Sequence, residues 1–537
     1  MMNVNSLPDS IIENIFSFLK VKHILTANKV CRKWNTIINS SLSWTNVDFS
    51  EVSIHFNQEN LKRIRSLIGP LTGVLRFNDN TSNEVNNIIK ICVHVEEMHL
   101  CNVRLYSEID ILLWPRCLTV LEIIDTYIND GKFYEQYQLN GTPFPQLRSL
   151  VVNNPYIMSE NDMKALLSSK TVESLKIKVC STFVINSVIE LCPNLISIIL
   201  QWGNIEIDDN KLIMYLWPKS LKVIKFNSFP NTTAIARINK SKSKNIETDF
   251  AKLRVLHLKN CIGFSSRSLN IMIKYGNITH INLDNLTAAT INQIVEHSKY
   301  LMSISLKLIF KPQEKEKLNL LLWPPTLKVI ILKHIDIESF HSPEPFYSKM
   351  KKEKAKKVFP LLEELHCVSC SGFTSRDLLA IGPSNCLYSL TPMASMINDQ
   401  INLLEMFPQL IRINLRCLPN ISCSNLLKWL DQSHVTQFEI LDQEFADFTL
   451  ADLILKLIRS RLNETKRKML PVSWVRLSLV HNLLPSHLLP ELSELMTDET
   501  PPLTLIIDIF DEESNSAWNL ERNCVLKKNT SLDIIID

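Results

Sequence analysis

Apolar residues recur along this chain in two different periods. Near the N-terminus the period is helical: Ile11, Ile12, Ile15, Phe16 and Leu19 draw one stripe, with Ser6 placed to cap the helix and Pro8 suited to its first turn. A second short helical stretch runs through Ile24, Leu25 and Ala27, and a third carries Val30, Trp34, Ile37 and Ile38. Three helices in about 40 residues bury little surface, and chains of that size usually need a metal, a disulfide or a partner. A partner is expected here.

Further along, the pattern becomes alternation. Leu118-Thr-Val-Leu121-Glu-Ile123, Leu147-Arg-Ser-Leu150-Val-Val152 and Val172-Glu-Ser-Leu175-Lys-Ile177 share one motif. Further copies begin at Leu195, Leu221, Leu253, Ile278, Leu301, Leu327, Leu362, Leu387, Leu410 and Val435, with successive starts 23 to 35 residues apart. In a short strand the second and third apolar positions of this motif point to one face while their neighbours point to the other. One such unit cannot bury its face alone, so the units must stack. A longer period lies above the first, marked by Leu113-Trp114-Pro115, Leu216-Trp217-Pro218 and Leu322-Trp323-Pro324 at intervals of 103 and 106 residues. Gly263-Phe264-Ser265-Ser266-Arg267 is answered by Gly372-Phe373-Thr374-Ser375-Arg376, so duplication of four-repeat blocks explains the length. The three tryptophans are expected in the core rather than in a recognition ladder.

Two resemblances follow from these residues. Leu7, Pro8, Ile11, Ile12, Ile15, Phe16, Leu19, Val30, Cys31, Arg32, Trp34, Leu42 and Trp44 fall in the order found in the F-box family, with His23-Ile24 where the family often has Asp-Leu. The repeats resemble the cysteine-containing type of leucine-rich repeat, best seen in Leu253-Arg-Val-Leu256-His-Leu258-Lys-Asn-Cys261. Together they imply an α/β chain: a three-helix F-box at 1–44, then a curved leucine-rich-repeat solenoid at 45–440, with irregular repeats and a cap at 441–537. The solenoid would carry a parallel β-sheet on its concave face and helices on its convex face. Family resemblance also implies that the N-terminal helices bind a Skp-type adaptor, joined in turn to cullin and RING subunits, while the solenoid recruits a target for ubiquitination. The adaptor-binding residues would be Leu7, Pro8, Ile11, Ile12, Ile15, Phe16, Leu19, Leu25, Val30, Cys31, Trp34 and Ile37.

Between Trp44 and the clear repeats, Val47-Asp48-Phe49 and Gly73 to Phe77 are expected as strands, with helical stretches near Glu59–Ile68 and Glu84–Ile91. No Pro/Gly/Ser-rich linker intervenes, so module and solenoid are expected to pack as one rigid body. Beyond 441 a helix through Leu450, Leu453, Leu457 and Ile458 is expected, then a polar break from Asn463 to Lys468. Strands follow at Val475–Val480 and Leu503–Phe510, and Leu532–Ile536 closes the exposed end.

Strand alternation names the outward residues. Lys176, Lys178, Lys225, His257, Lys259, Lys307, Lys333, His366, Arg412 and Arg416 are candidates for target binding, with Asn282 and Asn414 beside them. The acidic residues Glu122, Asp284, Glu364 and Glu439 are fewer, so a mildly basic face suits an acidic or phosphorylated protein segment. Val151, Val223, Val255, Val329 and Ile331 also face outward. The competing reading is an ordinary mixed face with the target held elsewhere.

Composition narrows the chemistry. Nine glycines, none in a Gly-x-Gly arrangement, leave no phosphate-cradling loop, and no cofactor is expected. Neither His-Glu-x-x-His nor Gly-x-Ser-x-Gly occurs, so no catalytic residue is assigned. A net charge of +3 makes no case for nucleic acid or an anionic membrane. Thirteen cysteines spread singly suggest reduced, buried thiols, and Cys367-Val368-Ser369-Cys370 lacks the second pair that zinc would need. The compartment is expected to be cytoplasmic, nuclear or both, since no signal-like start and no long apolar run is present. Lysine-rich runs at Lys240 to Lys244 and Lys349 to Lys357 read first as solvated loops, second as an import signal or polyanion contact. Two other functions stay open: a leucine-rich scaffold acting outside a ligase, and a solenoid that binds polyanions.

Overall fold

The computed structural model describes residues 6–19, 21–40, 44–49, 64, 68, 72–105, 111–128, 131–153, 160–179, 182–202, 217–228, 250–261, 269, 272–274, 276–307, 317–338, 358–381, 385–393, 396, 403–416, 435, 437–441, 474–480, 504–510, 524–528 and 532–536. The expected helices at 59–68 and 450–458, the break at 463–468, both lysine runs and the glycine-led segment at 263–267 lie outside them, apart from the single residues Ile64 and Ile68. The chain divides into two compact units, Met1–Gly276 and Asn277–Asp537.

The first unit opens with helices α1 (Asp9–Ser17), α2 (Val21–Ala27) and α3 (Arg32–Ser40). Ser6 is not the N-cap residue of α1. Pro8 takes the N-cap position, and its carbonyl accepts from Ile11 N–H and Ile12 N–H at 3.0 and 3.2 Å. A fixed φ near −55° preorganises that turn. Strands follow: β1 (Asn46–Asp48), β2 (Val74–Asn78), β3 (Glu97–Cys101), β4 (Arg104–Leu105), β5 (Val120–Ile124), β6 (Tyr127–Ile128), β7 (Ser149–Val152), β8 (Ser174–Val179), β9 (Ser197–Trp202), β10 (Val223–Asn227) and β11 (Val255–Lys259). From β1 to β11 successive repeats' strands pair in parallel, while β4 and β6 form a small ladder of their own. Helices α4 (Ser82–Ile89), α5 (Lys132–Asn140), α6 (Glu160–Leu167) and α7 (Thr182–Leu191) return the chain. Sequence chemistry sets their ends: Thr81 and Glu84 close a capping box on α4, while buried Asp162 of α6 accepts from Gly131 N–H (2.7 Å) and Tyr134 N–H (2.9 Å) at the start of α5.

The second unit repeats the plan with β12 (His280–Asp284), β13 (Ser303–Lys307), β14 (Leu318–Asn319), β15 (Val329–Lys333), β16 (Ile337–Glu338), β17 (Glu364–Val368), β18 (Ser389–Thr391), β19 (Arg412–Arg416), β20 (Gln437–Leu441), β21 (Trp474–Val480), β22 (Thr504–Phe510), β23 (Cys524–Lys528) and β24 (Leu532–Ile536). Helix α8 (Ala288–His297) is capped by the Thr287 side chain, which accepts from Thr290 N–H. The strands expected near 475–480 and 503–510 are present as β21 and β22. β24 pairs in parallel with β22 and antiparallel with β23, so it lies between them. Leu532–Ile536 therefore does not form the end of the sheet; β23, folded back beside it, lies outermost among the described strands.

One backbone pattern repeats at both ends of the strands. The residue before a strand accepts two N–H groups from the next repeat, as Gly73 O does from Glu96 and Glu97 at 2.8 and 2.9 Å, and Lys328 O does from Glu363 and Glu364 at 2.7 and 2.9 Å. The residue after a strand turns with positive φ at Asp79, Asn102, Asp125, Ser228, Asn260, Asn285, His334 and Ser369. Asp and Asn tolerate that region best among side-chain-bearing residues, and they hold most of these positions. Asp79, Asn102, Asn285 and His334 donate their N–H to the next strand's last carbonyl at 2.9 to 3.1 Å.

Beneath the strands the inward residues are buried, including Leu121, Ile123, Leu150, Leu175, Leu256 and Leu365. Trp114, Trp217 and Trp323 are buried too, which agrees with their core assignment. Trp114 packs against Phe133 and Phe144, and Trp217 against Phe226 and Phe250, with ring centroids 5.6 to 6.3 Å apart.

Gly372, at φ +81°, shows how tightly successive turns stack: a Cβ there would lie 1.9 Å from the Ile337 carbonyl oxygen. Gly131 has the same backbone hand but nothing within 4 Å. Gly372→Ala is predicted to lower stability by about 2 kcal/mol or more, and Gly131→Ala by about 1 kcal/mol. Urea unfolding of the two variants checks the order, and equal losses would contradict the stacking argument.

Candidate docking surfaces

Helix α1 is apolar on two sides. Ile12 and Phe16 point inward, where they join Val21, Ile24, Ile37 and Ile38, all buried. Phe16 meets Trp34 edge to face at 5.2 Å, and Trp44 Nε1 donates to Ile38 O at 2.9 Å. Lys33 of α3 ties down the start of α1, donating to Leu7 O at 2.9 Å and pairing with Asp9 at 3.0 Å. Ile11, Ile15 and Phe18, at i, i+4 and i+7, form a second stripe on the opposite side, exposed by 48, 45 and 85%. Val30, in the turn before α3, is 59% exposed.

The expected adaptor-binding residues therefore divide. Ile12, Phe16 and Ile37 are interior and shape the module, because they supply its core. Pro8, Ile11, Ile15 and Val30 are exposed, while Leu7, Leu19, Leu25, Cys31 and Trp34 are half-buried. Trp34 Nε1 is buried with no hydrogen-bond partner among the described residues. Phe18, the most exposed of these apolar side chains, was absent from the sequence-derived set, although its spacing from Ile11 and Ile15 marks it.

Hydrogen bonds tie Trp44 and Thr45 to the start of β2. Thr72 Oγ1 donates to Trp44 O at 2.9 Å, Gly73 and Val74 N–H donate to Thr45 O at 2.9 and 3.0 Å, and β1 pairs with β2.

The outward face of the first unit's strands separates its charges. At one end His99 lies between Glu97, at 3.7 Å, and the hydrogen-bonded Glu122. Further along, Lys176, Lys178, Lys225, His257 and Lys259 all face outward, half-buried or exposed. On the second unit, Lys307 and Lys333 are register partners, both exposed. His366 Nδ1 meets Thr391 Oγ1 at 2.7 Å, and its Nε2 is 3.4 Å from Glu364, which also accepts from Tyr388 OH. Burial lowers the His366 pKa, with Glu364 opposing that shift, whereas the hydrogen bond to Glu364 pushes Tyr388 up to about 12. Arg412 is exposed and donates to Gln437 at 2.9 Å; Arg416 ends β19, and its side chain lies outside the described residues. Asp284 departs from the expected pattern: although its register is outward, it is buried. Glu363 and Glu364 are not simply solvated, since Glu363 pairs with Lys328 at 2.6 Å.

The Cys367–Cys370 pair belongs to the core. Cys367 is buried and Cys370 Sγ donates to Val368 O at 3.4 Å, as Cys261 Sγ does to Lys259 O at 3.3 Å one block earlier. Among the described residues no group of three His, Cys, Asp or Glu could hold a metal ion, and no helix is long and apolar enough to cross a membrane.

The described elements are a three-helix N-terminal module and a parallel ladder of short strands with the leucine-rich-repeat pattern. Residues 4–50 match the F-box-like family model. Human F-box/LRR-repeat protein 12 is 23% identical over 199 residues, which cover 31% of this chain and 60% of the human protein. The mouse protein of that name is 22% identical over 201 residues, 31% of this chain and 61% of its own length. The chain thus spans about three fifths of the length of these curated relatives. A structure of the Rad7 and Elc1 complex in yeast aligns with a TM-score of 0.36 at 13% identity, covering 77% of this chain and 89% of that one. A leucine-rich-repeat protein of Leptospira interrogans aligns at the same TM-score and 12% identity, covering 86% and 94%. Residues 4–50 thus form an F-box-like segment, and the chain is similar to F-box/LRR-repeat proteins.

Burial raises the thiol pKa of Cys92 and Cys192 to about 12 and of Cys370 to about 11. These thiols stay protonated at pH 8, whereas Cys386 is exposed. Iodoacetamide at that pH is predicted to label Cys386 on the native chain and leave the other three unmodified until unfolding. Mass spectrometry reads the order; early labelling of Cys92 or Cys192 would contradict the packing described.

Proposed function

We propose that this chain is the non-catalytic target-recruiting subunit of a Skp-cullin-F-box ubiquitin ligase. The observation that carries the reading is the second apolar stripe of α1: Ile11, Ile15 and Phe18 are exposed on a module that already has its own core, as is Val30 in the turn before α3. Burying such side chains is worth about 1.5 to 3 kcal/mol each, so a partner helix laid across them gains affinity that nothing within the module supplies. A Skp-type adaptor is the partner, with cullin and RING subunits joined through it. The solenoid takes the target.

The chain adds no bond-making group in this scheme. Its contribution is effective concentration: an incoming lysine is held near a ubiquitin-charged enzyme, which converts an encounter into a local event. The hydrogen bond from Thr72 to Trp44 and the pairing of β1 with β2 serve that role, because they tie the end of the module to the first repeat.

Ile15→Asp combined with Phe18→Asp is predicted to weaken adaptor binding by about a hundredfold or more. Thermal unfolding should be nearly unchanged, since both side chains are exposed. Leu7→Ala with Pro8→Ala should also weaken binding. Affinity capture of the intact chain should yield adaptor and cullin together. Adaptor without cullin would favour a scaffold acting outside a ligase, and undiminished adaptor binding by the double aspartate variant would refute the assigned surface.

A further inference from the structure

The outward side of β8 to β11 carries charge of one sign. Lys176 and Lys178 stand on β8, Lys225 on β10 and Lys259 on β11, with no Asp or Glu at any outward position of these four strands. None of the four ammonium groups has an ion-pair or hydrogen-bond partner among the described residues. The nearby acids are already engaged: Glu122 with His99, and Glu173 with Arg148 at 3.6 Å. On the same outward face, His99 is paired with Glu97 and Glu122. Here the charges are left open, and like charges held side by side lose free energy unless something of opposite sign arrives.

Register gives the patch its dimensions. Strands lie about 4.8 Å apart and alternate residues about 7 Å apart along a strand, so Lys176 and Lys178 are about 7 Å apart, Lys176 and Lys225 about 10 Å, and Lys178 and Lys259 about 14 Å. That spread is too wide for one phosphate. The residues are also all lysines, which act as point charges, whereas phosphate recognition favours the arginine fork. Ile199 lies between Lys176 and Lys225, and Val223 and Val255 flank that row, all half-buried, so they offer apolar contact to the backbone and side chains of a bound segment.

We propose that this face binds an extended protein segment bearing several carboxylates, in which alternating Asp or Glu side chains meet Lys176, Lys178, Lys225 and Lys259. The inference rests on the reading that the repeats hold the target. It names the chemistry of the recognised segment and locates it on the first unit.

The test uses the full chain co-purified with a Skp-type adaptor and a fluorescein-labelled peptide of alternating glutamate and valine as probe. Anisotropy should report binding that weakens as salt rises from about 0.05 to about 0.5 M. Replacing the four lysines with glutamine should lower affinity about tenfold or more, and Lys225→Gln alone by a smaller factor. Lys307→Gln with Lys333→Gln, on the other unit, should leave it unchanged. A four-lysine variant that binds the probe as tightly as the parent would overturn the proposal. So would tighter binding of a peptide with one phosphoserine, or of an oligothymidine of similar charge. Adaptor retention is measured on the same samples: its loss with peptide binding intact counts against the ligase reading alone, and loss of peptide binding with adaptor retained bears on this face alone.

Discussion

No strand of this protein can bury its own apolar face, and the rest of the structure follows from that constraint. Each repeat supplies a short strand with inward residues such as Leu121 and Ile123, and only the neighbouring repeats can cover them. The stacking is enforced twice by the backbone. A carbonyl before many of the strands gathers two N–H groups from the next repeat, and after eight strands a left-handed residue turns the chain. With strands held at one spacing, every outward side chain acquires a fixed address, and the open lysines of β8 to β11 become a surface instead of a set of scattered charges.

The N-terminal module obeys the same economy on a smaller scale. Its interior is closed by Phe16, Trp34, Ile38 and Trp44, and Trp44 then leads into β1. The helix that contributes Phe16 to this interior presents Ile11, Ile15 and Phe18 on its other side. One short helix thus serves folding with one stripe and, in the proposed function, docking with the other, which accounts for its dense apolar sequence.

Most of the fold was legible because alternation is a local signal. Every repeat start from Leu118 to Val435 precedes an observed strand, and the late strands at Trp474–Val480, Thr504–Phe510 and Leu532–Ile536 fall where their apolar runs predict. What escaped the sequence depends on partners far apart in the chain. The antiparallel return of β23 beside β24, the burial of Asp284 and the pairing of His99 with Glu122 need registers that one strand does not encode. The start of α1 was misplaced because Ser6 and Pro8 both carry capping signals, and proline geometry prevailed. Phe18 was missed for a different reason: the inward stripe of α1 ends nearby, and an exposed phenylalanine makes sense only once that stripe is known to be fully occupied.

The central claim is that the outer stripe of α1 docks a Skp-type adaptor while the junction into the sheet stays fixed. Hydrogen exchange of the intact chain, with and without the adaptor, tests this most directly. Slower exchange confined to α1, α2 and the turn at Val30, with β1 and β2 unchanged, is the predicted result. Unchanged exchange in α1, or protection that appears instead on the strands, would contradict it.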